Sequence, residues 1–226
     1  MSADDSGNSE ELTLNAPPLE YSMEPSEEQP YAEYTIRVQA PGYRDITVSA
    51  INVLPGETAI QNVRMEAEDA PGDRIDTVVI AAHTLYAEYP PKIPEDEIKP
   101  MNESGEIVLS RVVIPEYIVV HDGAPGDTTA SDYYIRYRDY IKNVASSEIY
   151  ATWPDAAIRA NVLAIMSFTL NRVYTEWYRG KGYNFTITSS TAYDHKFIYG
   201  RNYFQSISRV VDEMFENYLS RPNVRQ

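Results

Sequence analysis

The chain has 226 residues, with 19 Lys plus Arg against 34 Asp plus Glu, a formal net charge of −15. That balance argues against a general nucleic-acid binder, which needs a basic surface to displace counterions from phosphate, and against docking on an anionic membrane face. There is no Cys, which removes disulfides, thiolate zinc sites and cysteine nucleophiles; the 43% hydrophobic content suits a folded chain, and no apolar run approaches the length of a bilayer span.

The charge is unevenly spread. Residues 1–110 hold 22 acids and 6 Lys/Arg, and residues 111–226 hold 12 acids and 13 Lys/Arg. Proline falls 11 before and 4 after that boundary, whereas 13 of the 19 tyrosines follow it. Two segments of different chemistry are expected. The start, Met1 to Asp5, has neither the basic nor the apolar region of an export leader. Either the protein is not exported by that route or a leader lies outside this chain.

Residues 1–66 read as β-rich. Residues 1–11 are small, polar and acidic, as in an unstructured leader. Tyr34, Ile36, Val38 and Ala40 alternate with polar residues, the period of a half-buried strand, and Pro41-Gly42 follows as a turn. Ile46 and Val48 alternate again before Pro55-Gly56, and Val63 and Met65 predict a last strand. Residues 67–107 read as an acidic linker in which Pro90, Pro91, Pro94 and Pro100 forbid long helices, with Ile75 to Leu85 apolar enough to pair as a strand.

Residues 108–226 read as helices with some strand. Val112 to Ile114 and Tyr117 to Val120 are strand-like, His121 to Asp127 is a loop, and Tyr133, Ile135 and Tyr137 alternate. The period then changes, and Tyr140, Ile141, Val144, Ala145 and Ile149 predict a helix over 138–149. Thr152 reads as the cap of a second helix that Gly180 and Gly182 end. Phe185 to Thr188 is a candidate strand, and a last helix is predicted over 206–219 with Pro222 beyond it. The fold class is therefore α+β.

The chemistry-bearing residues are few. His83, His121 and His195 lack ligand spacing, so no metal site is expected; there is no nucleophile elbow and no phosphate loop, so no cofactor is expected either. Glu148 stands out. It falls at the C-terminal end of an apolar helix beside Ile149, Tyr150 and Trp153, where the helix dipole and desolvation both favour a carboxyl that keeps its proton, as a general acid requires. The alternative is a surface carboxylate whose stem rests on Trp153. Trp153, Trp177, Tyr178, Tyr183, Tyr193 and Tyr199, lying among Asn, Arg and Lys, suit a sugar ring bearing N-acetyl groups, or equally the aromatic core of a small α/β domain.

The run Tyr140 to Leu170, with "N-V-A-S-S-E-I-Y" and "T-W-P-D-A-A", and the later "T-S-S-T-A-Y-D-H-K-F-I-Y-G" from Thr188 to Gly200, resemble the core patterns of the stage II sporulation protein D (SpoIID) family. The segments Ile114–His121, Asn171–Arg179, Tyr199–Asn202 and Ile207–Glu213 resemble, more closely, its clostridial spore-cortex-lytic (SleC-type) branch. Residues 34–65 are similar to a carboxypeptidase-regulatory-type β-sandwich, here truncated, such as that branch carries ahead of its catalytic domain. The resemblance implies a SpoIID-type domain over 108–226 that is truncated at its C-terminus. It implies lytic transglycosylation of peptidoglycan glycan strands, in the spore cortex or the extracytoplasmic wall of a spore-forming bacterium. Glu148 is then the catalytic acid, and Trp153, Tyr193, Asp194, His195, Lys196 and Tyr199 bind substrate. It further implies a pro-form whose residues 1–107 mask the groove until an activating protease cuts near Ile107-Val108. Met166 stands where the family carries Arg, and His195 where it carries Gln. With those departures the alternative is an inactive peptidoglycan-binding or envelope structural protein. No nucleic-acid or membrane partner is expected.

Overall fold

A computed structural model describes residues 2–72, 75–82, 85, 89–93 and 112–220. His83, Pro94, Pro100, the Ile107-Val108 junction and Pro222 lie outside them. In chain order the elements are α1 (Glu20–Met23), β1 (Ala32–Val38), β2 (Ile46–Val53), β3 (Ala59–Ile60), β4 (Thr77–Val79), β5 (Tyr117–His121), β6 (Asp132–Arg136), α2 (Tyr137–Glu148), α3 (Asp155–Tyr174), β7 (Ile187–Thr188), β8 (Tyr203–Phe204) and α4 (Gln205–Met214), with one 3₁₀ turn at Arg179–Lys181. The class is mixed α+β with small sheets. No helix among the described residues is long and apolar enough to cross a membrane.

The largest core lies between the helices and the sheet β6-β5-β7. Helix α2 contributes Tyr140, Ile141, Val144 and Ala145, α3 contributes Ile158, Val162, Met166 and Leu170, and α4 contributes Ile207, Val210 and Val211. These recur at three and four residues, so each helix buries one stripe. Burying each Ile, Leu or Val contributes about 1.5–3 kcal/mol, which offsets the cost of ordering helices this short. Strand β5 pairs antiparallel with β6, from Tyr117 opposite Arg136 to His121 opposite Asp132, and parallel with β7.

The first segment forms a second sheet, β1-β2-β4. Strands β1 and β2 are antiparallel, and their register slips between Tyr34 and Ile36, where Ala50 takes φ 61. This is a β-bulge, and it reverses which face each later residue of β2 presents. Val48 before it and Ile51 after it both enter a small core with Ile80 and Ile198. Asn52 and Leu54 therefore face the other way, and Leu54 enters the main core together with Tyr31.

Several expectations need correction. Val63 and Met65 form no strand. The nearby pairing is made by β3, which joins β8 antiparallel, Ala59 opposite Phe204. That partner is remote in sequence, so local alternation does not reveal it. Thr152 does not cap α3: its hydroxyl donates to Ser22 Oγ at 2.8 Å, and Pro154 occupies the cap position. Helix α3 ends at Tyr174, before either predicted glycine, because Glu176 takes φ 46. The Trp177 N–H then reaches the Arg172 carbonyl at 3.1 Å and the Glu176 N–H reaches that of Val173 at 3.1 Å. This is a Schellman cap, with Glu in the left-handed position that glycine usually fills. Helix α4 stops at Met214, short of the predicted end. Val112 to Ile114 run alongside the core as coil.

Gly200 carries a clear stability test. Its φ is +74, and a Cβ there would collide with Val78 Cγ1 of β4. Gly200→Ala should destabilise the protein by roughly 2–4 kcal/mol, combining the backbone cost with overpacking. Gly126→Ala, where a Cβ meets nothing within 4 Å, should stay within about 0.5 kcal/mol. Urea unfolding of both variants measures the difference.

Candidate functional site

Helix α2 ends at Glu148 because Ile149 turns extended (φ −138, ψ 157), its N–H bonding the Ala145 carbonyl. The Glu148 side chain is half-buried, and its Oε1 accepts the Lys196 backbone N–H at 2.8 Å. No other described residue donates to the carboxylate. Lys196 therefore meets Glu148 through its backbone, while its ammonium donates to the Ala82 carbonyl at 3.1 Å and faces the Tyr89 ring at 5.4 Å. Burial holds the Lys196 ammonium below its ordinary value, the Arg201 charge pushes the same way, and Glu148 opposes both.

The Lys196 N–H is positioned by its neighbour Asp194. The Asp194 side chain is fully buried. Its Oδ1 accepts from Arg172 Nε at 2.7 Å. Its Oδ2 accepts from Tyr178 Oη at 2.6 Å, from the Thr188 N–H at 2.9 Å and from Thr188 Oγ1 at 2.7 Å. Four donors from three elements satisfy this anion, as burial of a charge requires. Asp194 thus faces inward and fastens the 188–199 stretch to α3 and β7.

His195 is also inward. It packs against Phe168, ring centroids 4.7 Å apart, and its Nδ1 lies 3.3 Å from Tyr140 Oη. Burial lowers its pKa to about 4, with Glu148 opposing and the Lys92 and Arg172 charges assisting, so the ring is neutral at pH 7. Burial raises the Tyr140 phenol well above its ordinary value, so the pair is a neutral hydrogen bond.

The remaining expected residues are spread around this centre. Trp153 stacks edge-on against Tyr150 at 6.2 Å, and its indole N–H donates to the Ser22 carbonyl at 2.9 Å. The first segment covers that edge of the ring. Tyr193 is half-buried, and its carbonyl accepts from Arg172 at 3.3 Å. Tyr199 stacks on Tyr133, centroids 4.3 Å apart at 21°. The geometry gathers Glu148, Asp194, His195 and Lys196, and leaves Trp153 and Tyr199 on separate flanks. Trp177 and Tyr178 belong to a small core with Phe185.

Beyond Lys196 the chain forms one wall of an open groove of about 430 Å³. Phe197, Ile198 and Tyr199 line it with Asp122 and Tyr133, and Ile75, Thr77, Val78, Val79 and Ala81 form the opposite side. Glu148 is not in that lining; its link to the groove is the Lys196 N–H, one residue before Phe197 of the wall. Asp122 and Tyr133 were not singled out by sequence. Asp122 follows His121 in a turn-rich loop and Tyr133 reads as one residue of an alternating strand, so only the pairing of β5 with β6 brings them together.

The two arginines of α3 bond acids other than Glu148. Met166 is wholly buried in the core. Arg172 pairs with Asp194, and Arg159 bonds Asp155 at 2.5 Å and also Glu213 on the outer surface. No family model matches the chain, and no curated protein or solved structure matches it.

The buried neutral His195 gives a pH signature. Its unfolded form takes a proton below about 6.5, whereas the folded form does so only near 4. The unfolded state therefore binds more protons in that window, and stability falls as pH is lowered through it. His195→Gln, which keeps an acceptor for Tyr140, should remove roughly 2–3 kcal/mol of the loss between pH 6.5 and 4.5. Urea midpoints of both proteins across that range test it; equal slopes would reject a neutral buried His195.

Proposed function

We propose that the chain is a peptidoglycan lytic transglycosylase of SpoIID type acting on spore-cortex glycan, made as a pro-form, with Glu148 as its single acid and base. The observation that carries this reading is the placement of Glu148: one carboxylate oxygen accepts the Lys196 N–H, and the other takes no hydrogen bond from the described residues. The finer fold reading, a SpoIID-type domain behind a truncated regulatory β-sandwich, rests on the same sequence resemblance and is compatible with the small sheet β1-β2-β4.

The chemistry needs one carboxyl in two states. Protonated Glu148 gives its proton to the oxygen linking N-acetylmuramic acid to N-acetylglucosamine, and the C1–O bond breaks with positive charge on the muramic ring. The resulting carboxylate takes the proton of the muramic 6-hydroxyl, whose oxygen bonds C1 and closes a 1,6-anhydro ring. No water is consumed, so the second carboxylate of a hydrolytic glycosidase is not required. The Lys196 N–H stabilises the carboxylate form between the two steps. Sugars flanking the cut would lie along the groove, with the Tyr133–Tyr199 pair offering a ring face and Asp122 an acceptor for hydroxyl or amide protons.

The pro-form reading is supported by where the first segment lies. Ala82 holds the Lys196 ammonium, Lys92 donates to the Asp194 carbonyl at 2.7 Å, and the Ile93 N–H donates to the Ala192 carbonyl at 2.8 Å. These residues cross the stretch that positions Glu148. A second reading, a non-catalytic glycan-binding or envelope protein, is favoured by Met166, which puts a buried thioether where the family carries a cation.

Glu148→Gln separates the two. The amide oxygen keeps the Lys196 bond, so the fold should be retained, while anhydromuropeptide release from spore cortex, read by mass spectrometry, should drop by roughly 10²–10⁴-fold. Equal glycan affinity with no lytic products from either protein would establish the binding reading. Under the enzymatic reading, Tyr199→Ala should raise KM with a smaller effect on kcat.

A further inference from the structure

We infer that the first segment is a permanent subunit of the fold, so that a cut in the 94–111 stretch leaves residues 1–93 bound non-covalently to residues 112–226. The occasion for such a cut rests on the pro-form reading above; the interface does not.

The surface joining the two segments has the make-up of a domain interior. Tyr31 and Leu54 of the first segment are 2% and 1% exposed and sit in the same core as the helices of the second. Strand β3 completes a two-stranded ladder with β8, and the Gln205 N–H that follows donates to the Thr58 carbonyl at 2.9 Å. Removing the first segment would leave the edge of β8 unpaired and bare part of the main core.

A buried polar knot makes the junction specific. The Asn52 N–H donates to Asn202 Oδ1 at 3.1 Å, and Asn202 Nδ2 donates back to the Asn52 carbonyl at 3.0 Å. Arg201, 3% exposed, donates to Asn52 Oδ1 at 3.0 Å and to the Ser146 carbonyl at 2.9 Å. Asn52 and Asn202 are both fully buried. Parting the segments would cost Arg201 its bond to Asn52 and the two asparagines their mutual bonds, all made by buried groups that water would then have to satisfy. The occupant of this surface on residues 112–220 is therefore the chain's own first segment, held by main-chain pairing and by the bonds that Asn52 makes with Arg201 and Asn202.

Activation would then act on Ala82, Tyr89, Lys92 and Ile93, which meet the 192–196 turn through three hydrogen bonds and a ring face. The β module would remain.

The test replaces residues 104–109 of the full chain with the recognition sequence of a specific protease and cuts it to completion. Size-exclusion chromatography with native mass spectrometry should show both fragments in one species at the elution volume of the uncut protein, separating only in denaturant. Release of the N-terminal fragment in native buffer, with the remainder still folded by circular dichroism, overturns the proposal. Asn52→Ala in the same background should raise the dissociation constant of the cut complex by about tenfold or more; no change would show that the polar knot does not hold the segments. These readouts need no glycan. A retained complex without lytic products rejects the enzymatic reading alone, and a released fragment with lytic products rejects this inference alone.

Discussion

Everything near Glu148 depends on the burial of one anion, Asp194. A carboxylate removed from water is tolerated only when its lone pairs are filled, and here Arg172, Tyr178 and both donors of Thr188 fill them. These donors come from α3, from the turn after it and from β7. The stretch that follows is thereby held against three elements at once. Two residues on, the Lys196 N–H meets Glu148, and the next residues form the groove wall. Breaking such a pair from one side leaves an uncompensated buried charge, costing about 3–5 kcal/mol. The geometry of the acid is thus set by a neighbour that never faces the groove.

His195 adds rigidity by a different route. A neutral imidazole bonded to a neutral phenol fills the space between α2 and α3 without placing another charge beside Glu148 and Lys196. The buried pair Asp194 and His195 is flanked by half-buried Tyr193 and Lys196, so one short stretch carries both the anchor and the residue that meets Glu148.

The helices were legible because their burial is periodic. The stripe from Tyr140 to Ile149 marked α2 to within a residue, and so placed Glu148 at a helix end. The small sheets were only partly legible. The pairing of β3 with β8 and of β2 with β4 joins residues far apart in sequence, and a short apolar strand offers no local sign of its partner. The end of α3 was missed for a local reason: Glu176 adopts a backbone that sequence assigns to glycine. At the site, the sequence did not show that Glu148 and Lys196 meet, because the two are 48 residues apart and only the folded chain joins them; nor could composition separate an inward Asp194 from one facing solvent. The charge contrast between the two halves suggested separable units. It did not disclose that apolar residues of the acidic half lie in the interior of the other.

The bulge at Ala50 has a consequence for how such a junction can arise. A regular strand presents one parity of residues to each side, so it can serve one interior with one set of apolar positions. The extra residue acts as a phase shift. Ahead of it, even-numbered positions such as Val48 fill the small core with Ile80 and Ile198; past it, Ile51 takes over that task and the even positions Asn52 and Leu54 turn to the opposite side, where Leu54 enters the main core. A single inserted residue thus lets one strand address two interiors of opposite parity, and its loss would turn Asn52 into the small apolar core of Val48, Ile80 and Ile198.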